Sequence, residues 1–209
     1  MHIFSLLFAG LAVGACSCGS QASGVPLTSQ DDLFPKEMKS GEQTLKLGGQ
    51  AIQATAKVIT NGTERRIQLF SDGTMIDEEI YEVDDSGIRL VSLPPGEKFV
   101  KPIPLISYGK PLRSTWNWEG QKRLGTRSLK ATAKISTDSV KVAFQSGSNE
   151  AVLVTVELKV EDGSPKPYER KLMFWFVRGE GLLKRDFTMQ EREPRVPGME
   201  EETPAPDKK

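Results

Sequence analysis

Val152, Val154, Val156, Leu158 and Val160 place branched apolar side chains at every second position, opposite Thr155, Glu157 and Lys159. Coiled into a helix, that period would scatter the apolar groups around the axis. Extended, it gives a strand with one dry face and one wet face. Leu129-Lys130-Ala131-Thr132-Ala133-Lys134-Ile135 repeats the alternation, and so do Val140, Val142 and Phe144. Strands that keep one wet face belong to antiparallel sheets, because parallel sheets are covered on both sides. No segment of the body carries a helical stripe of useful length.

Turn chemistry separates the alternating segments. Asn61-Gly62 predicts a tight hairpin between 51–60 and 63–71, since both residues tolerate positive φ. Ser71-Asp72-Gly73, Asp84-Asp85-Ser86-Gly87, Thr137-Asp138, Gln145-Ser146-Gly147-Ser148-Asn149 and Asp162-Gly163-Ser164-Pro165 mark further reversals. The predicted strands are 44–48, 51–60, 63–71, 74–83, 87–93, 98–101, 114–119, 127–136, 139–145, 151–161, 167–178 and 181–188. The expected fold is all-β: a single antiparallel meander whose curved sheet is a half-barrel or a barrel.

Pro94-Pro95-Gly96 and the run Pro102-Ile103-Pro104-Leu105-Ile106-Ser107-Tyr108-Gly109-Lys110-Pro111-Leu112 lack many ladder donors. They are expected to cross the sheet as an extended arm, with Ile103, Leu105 and Ile106 capping an apolar face. Trp116-Asn117-Trp118 puts two indoles on one strand face, as a core pair or a stacking platform. Phe174-Trp175-Phe176-Val177 is apolar on both faces, as expected of a covered strand or one lining a cavity. If the sheet holds a ligand, the expected lining is Ile103, Leu105, Trp116, Trp118, Phe174 and Phe176.

The chain opens with an apolar run, Ile3-Phe4-Ser5-Leu6-Leu7-Phe8-Ala9-Gly10-Leu11-Ala12, closed by Val13-Gly14-Ala15-Cys16. That run suits a secretory signal and is too short to span a bilayer. A cysteine directly after small residues resembles the lipobox of bacterial lipoproteins. The resemblance implies a signal peptide over 1–15, lipidation at Cys16 and a membrane tether through acyl chains. It places the body in the cell envelope, on the periplasmic face of the outer membrane where two membranes exist. The expected organisation is a lipidated N-terminus and flexible tether over 16–42, an antiparallel β-domain over 43–188 and a disordered Glu- and Pro-rich tail over 189–209.

Twenty-eight basic residues balance twenty-eight acidic ones. No global field attracts nucleic acid. The basic group Lys110, Arg113, Lys122, Arg123, Arg127 and Lys130 reads as the solvent side of strands. The single histidine, His2, leaves with the signal, which removes Ser-His-Asp and Cys-His catalysis and every His-based metal site. No metal and no cofactor are expected. Carboxylates at Asp77-Glu78-Glu79 and Asp84-Asp85 leave a carboxylate hydrolase as the lowest-ranked option.

Pro104 to Tyr108, Leu112 to Trp116 and Trp175 to Arg185 resemble a loosely defined group of exported bacterial β-proteins. Those carry a Pro-Leu arm before a Trp strand and a Gly-x-Gly turn into a final strand. The curved sheet is also similar in architecture to the half-barrels of lipoprotein carriers, a likeness of shape that carries no function by itself. The expected role is non-enzymatic: binding a hydrophobic ligand or an envelope protein partner. The alternative is a structural scaffold with no small ligand.

Overall fold

The computed structural model describes residues 25–36, 41–47, 50–94, 96–144 and 147–190. Cys16, Cys18, the leader and the tail beyond residue 190 lie outside the described residues. Among the described residues, eleven strands follow one another in a single sheet whose spatial order is the chain order. They are β1 (Gly41–Leu47), β2 (Gln50–Asn61), β3 (Glu64–Ser71), β4 (Thr74–Asp84), β5 (Gly87–Leu93) and β6 (Glu97–Ser107). Then come β7 (Thr115–Leu124), β8 (Arg127–Phe144), β9 (Gly147–Glu161), β10 (Tyr168–Val177) and β11 (Gly181–Gln190). Every pairing is antiparallel. The fold is the all-β meander that the alternation predicts, curled into a half-barrel. Among the described residues the one helical element is a 3-10 turn, Ser29–Asp31.

The curl is visible in contacts between strands far apart in the order. Tyr81 on β4 lies edge-on to Phe174 on β10, with ring centroids 6.4 Å apart. One face of the sheet thus closes on itself around a continuous core that includes Leu90, Leu105, Ile135, Val156 and Leu172. The valine stripe of β9 is fully inside it.

Three expectations change. The hairpin at Asn61-Gly62 exists, but Asn61 pairs with Glu64, so the loop residues are Gly62 and Thr63. Only Gly62 takes positive φ there, at 58°. The reversal at Thr137-Asp138 is absent: β8 runs straight through it, paired with β9 from Lys130 to Phe144. The proline-rich segment is no crossing arm either. It is β6, an interior strand laddered to β5. Its ladder to β7 consists of Lys98↔Arg123 and Phe99↔Lys122. The Pro104 carbonyl accepts the Trp116 indole N–H at 3.0 Å, so that residue's backbone faces β7. In an antiparallel strand a residue's N–H and C=O point to the same neighbour. The missing proline donors therefore fall on the side where the ladder has stopped, and an indole takes its place.

Two glycines are fixed by close approach. A Cβ on Gly87 would sit 2.0 Å from the Ile106 carbonyl oxygen, and Gly87 has φ +145°. A Cβ on Gly120 would sit 2.5 Å from the Trp118 ring, which approaches that bare backbone closely.

The segment 25–36 falls within the expected tether but is bound to one rim of the sheet. Pro26 bridges Pro111, and Leu27 exchanges backbone hydrogen bonds with Gly109 and Lys110. Leu27, Leu33 and Phe34 are buried. The Phe34 ring contacts Tyr81 and Phe176, at 5.2 and 6.2 Å between centroids. Gly179 donates its N–H to the Asp32 carbonyl, and Arg178 pairs with Asp31 at 2.9 Å.

Phe34→Ala is expected to lower unfolding stability by about 3 kcal/mol, the usual loss for emptying a buried aromatic site; urea denaturation measures it, and an unchanged midpoint would return the segment to a tether. Burial works to raise the Asp31 pKa, but the Thr28 backbone N–H and Arg178 together hold it below the ordinary carboxylate value. A lowered folded-state pKa contributes stability present above the unfolded pKa of about 3.9 and lost as pH falls through the folded value. Amide exchange across 25–36 is expected to lose protection below about pH 4, with Arg178→Ala producing the same loss at neutral pH.

Candidate functional site

Charge sits on the inner face of the sheet as well as the outer. Glu79 is fully buried on β4, where the Tyr81 hydroxyl donates to its carboxylate at 2.6 Å. Arg185 on β11 pairs with both Glu79 and Asp77, the latter at 3.0 Å. Farther along the same face, Glu97 on β6 receives Lys122 of β7 at 3.0 Å and Arg170 of β10 at 3.1 Å. Three carboxylates meet three cations, so the row is electrically neutral. Buried charges persist when paired in this way, and removing one member strands another.

The electrostatics follow from that burial. Desolvation pushes the Asp77 carboxyl up, opposed by Arg185 and by the Arg170 charge. Burial lowers the Arg185 guanidinium against the pull of Asp77. The Tyr81 phenol is driven well above its usual value by burial and by the Asp77 charge. Phe187 lies beneath both Arg170 and Arg185, each 5.4 Å from the ring centroid. The row crosses from β4 to β11 and from β6 to β10, holding together strands with no common ladder.

This arrangement corrects one expectation. Lys122 is buried, away from the solvent-facing basic group. Asp77 and Glu79 are committed to Arg185, Asp84 pairs with Arg89, and Glu78 faces outward to Gln68 and Arg66. The sequence held a usable signal. Glu79, Glu97, Arg170 and Arg185 each stand two positions from an inward residue, respectively Tyr81, Phe99, Leu172 and Phe187. Lys122 continues the inward run Trp116, Trp118, Gly120. Parity, more than residue type, identifies them.

The six expected lining residues separate. Ile103, Leu105, Phe174 and Phe176 are fully buried and packed within the core. Trp118 is also buried, edge-on to Phe99 at 5.9 Å, with its indole nitrogen unpartnered among the described residues. Trp116 is half-buried at the rim with the Lys110 ammonium 4.6 Å above its ring. None of them lines either of the two described cavities.

The larger cavity is an open cleft of about 360 Å³ on the outer face of β3 to β6. Its floor is one register row: Arg66↔Ile80, Ile80↔Ser92 and Ser92↔Lys98. Met75, Ile76, Pro94 and Gly96 rise beside that row. Met75 and Ile76 are exposed, 50% and 40%. Arg66 is held by Glu64 and Glu78. The lining also holds Asp77 and Glu78, paired with Arg185 and Arg66, whereas Lys98 has no ion pair among the described residues.

No protein-family model, curated protein or solved structure matches the chain.

Glu97→Ala leaves Lys122 and Arg170 facing each other without a counter-charge. A loss of about 3–5 kcal/mol in urea unfolding is expected, with near-parental stability for Glu97→Leu, Lys122→Met and Arg170→Met combined. A single-variant loss under about 1 kcal/mol would show that water already screens the row.

Proposed function

We propose that the chain is an exported envelope protein, lipid-anchored through Cys16, that binds an apolar ligand with an anionic end and performs no catalysis. The outer cleft of β3 to β6 carries this reading: apolar walls of Met75, Ile76, Ile80 and Pro94, with the Lys98 ammonium at one end. Clefts of a few hundred Å³ that combine apolar lining with a few polar groups are the usual form of a small-molecule site.

Position favours the same reading. Turns of a meander alternate between the two ends of the sheet. The cleft lies at the end holding the β3–β4 and β5–β6 turns, and the segment 25–36 is bound at the other. A body tethered through Cys16 presents its cleft away from the bilayer, open to the aqueous envelope space. The inner-face carboxylates, each matched by a cation, support a binding role over hydrolysis. The outer edges of β1 and β11, which no strand extends among the described residues, favour the second reading, a structural scaffold that pairs with other chains.

Native mass spectrometry of the chain purified from envelopes, beside an organic extract of the same sample, tests the proposal. A bound species of defined mass is expected, lost in Lys98→Glu and in Ile76→Glu while the fold persists. A bare chain that captures an envelope protein through its edges would replace the ligand reading with the scaffold.

A further inference from the structure

We propose that the rim carrying the segment 25–36, together with the outer apolar stripe beside it, is a lipid-contacting surface that sets the orientation of the body on the membrane. The inference rests on the reading of Cys16 as the anchor and specifies what that anchor brings into contact.

Val25, 86% exposed, is the first described residue. The nine-residue step from Cys16 to Val25 spans at most about 30 Å fully extended, so the rim that holds Pro26 and Leu27 cannot stand far from the bilayer. The turns β2–β3, β4–β5, β6–β7, β8–β9 and β10–β11 lie at this same end.

One hairpin projects from that rim. The ladder of β7 to β8 ends at Thr115↔Ser136, and that of β9 to β10 ends at Ala151↔Val177. Past those pairs, 141–144 and 147–150 pair with each other, and among the described residues no third strand flanks them. An isolated two-stranded ribbon is at best marginally stable in water.

The outer face leading to this ribbon carries an apolar stripe, bordered by Asp138, which pairs with Leu153 in the ladder. Val140 pairs with Ala151, and Ala151 with Val177; next to them, Leu153 pairs with Trp175. Ala151 and Val177 are buried although they lie outside the main core, and Val140, Val142, Leu153 and Trp175 are half-buried. The Lys184 ammonium lies 4.7 Å over the Trp175 ring. At the same rim Lys110 covers Trp116. An aromatic body capped by an amine suits the headgroup boundary, where ring and stem meet apolar chains and the charge stays wet. The tether, the projecting ribbon and the stripe thus point to a phospholipid surface as the occupant of this face.

The test uses the full chain purified from membranes and reconstituted in phosphatidylcholine–phosphatidylglycerol vesicles with brominated acyl chains. Bromine is expected to quench tryptophan emission, and Trp175→Phe is expected to remove most of that quenching. Val142→Glu, on the ribbon and away from the main core, is expected to reduce it while circular dichroism is unchanged. Quenching that survives Trp175→Phe in full, or vesicle-bound chain with no quenching, overturns the proposal. Intact mass of the same sample decides the anchor separately. An unmodified Cys16 defeats the lipoprotein reading, while Trp175-dependent quenching of that unmodified chain would still support the contact face.

Discussion

An open sheet of this length has no ladder between its first and last strands, so something other than backbone hydrogen bonding must hold its curl. Here it is the inner face. The rings of Tyr81, Phe174 and Phe34 meet across the lumen, and the Asp77–Arg185 and Glu97–Arg170 pairs join strands that share no ladder. The apolar contacts supply a non-directional pull proportional to the area removed from water. The ion pairs add register, because a guanidinium buried against a carboxylate tolerates little sliding. Core and charge act on the same degree of freedom, the distance between β4 and β11.

Placed on that curl, the other features have physical reasons. The β6–β7 ladder stops after Phe99↔Lys122, and Pro102 and Pro104 lie beyond that point, where missing donors cost no ladder bond. Gly120 lies bare beneath Trp118, which lets a large ring lie against backbone on the inner face. Outside, the cleft opens where the β4 ladder shifts register against both neighbours.

Much of this was readable in the chain and some was not. The β9 stripe declares its strand because five branched residues at period two admit no other regular structure. Pro102 and Pro104 announce missing donors, but a sequence does not say which side of a strand those donors face, so β6 reads as an arm. Thr137-Asp138 has turn composition, yet β9 continues opposite it and the ladder overrides the local preference. Glu79, Glu97 and Lys122 carry the chemistry of exposed residues, and their partners lie on strands distant in sequence. Ile103, Leu105, Phe174 and Phe176 read equally as core or as cavity wall. Whether a concave apolar surface is filled by its own side chains depends on the radius of the curl, which alternation does not encode. The cleft was harder still, because its floor is a row of register partners from four strands.

The rim-bound segment 25–36 has a consequence for the order of events during assembly. Its partners include Arg178 and Phe176, contributed by the far end of the sheet. A chain that emerges N-terminus first presents Leu33 and Phe34 long before β10 exists to receive them. Such long-range closures carry the loop entropy of the whole intervening chain and form late. Residues 25–36 are therefore the last to find their place, and their docking coincides with completion of the sheet. The segment first in the chain order is thus the one that closes the fold, only once every strand is laid down.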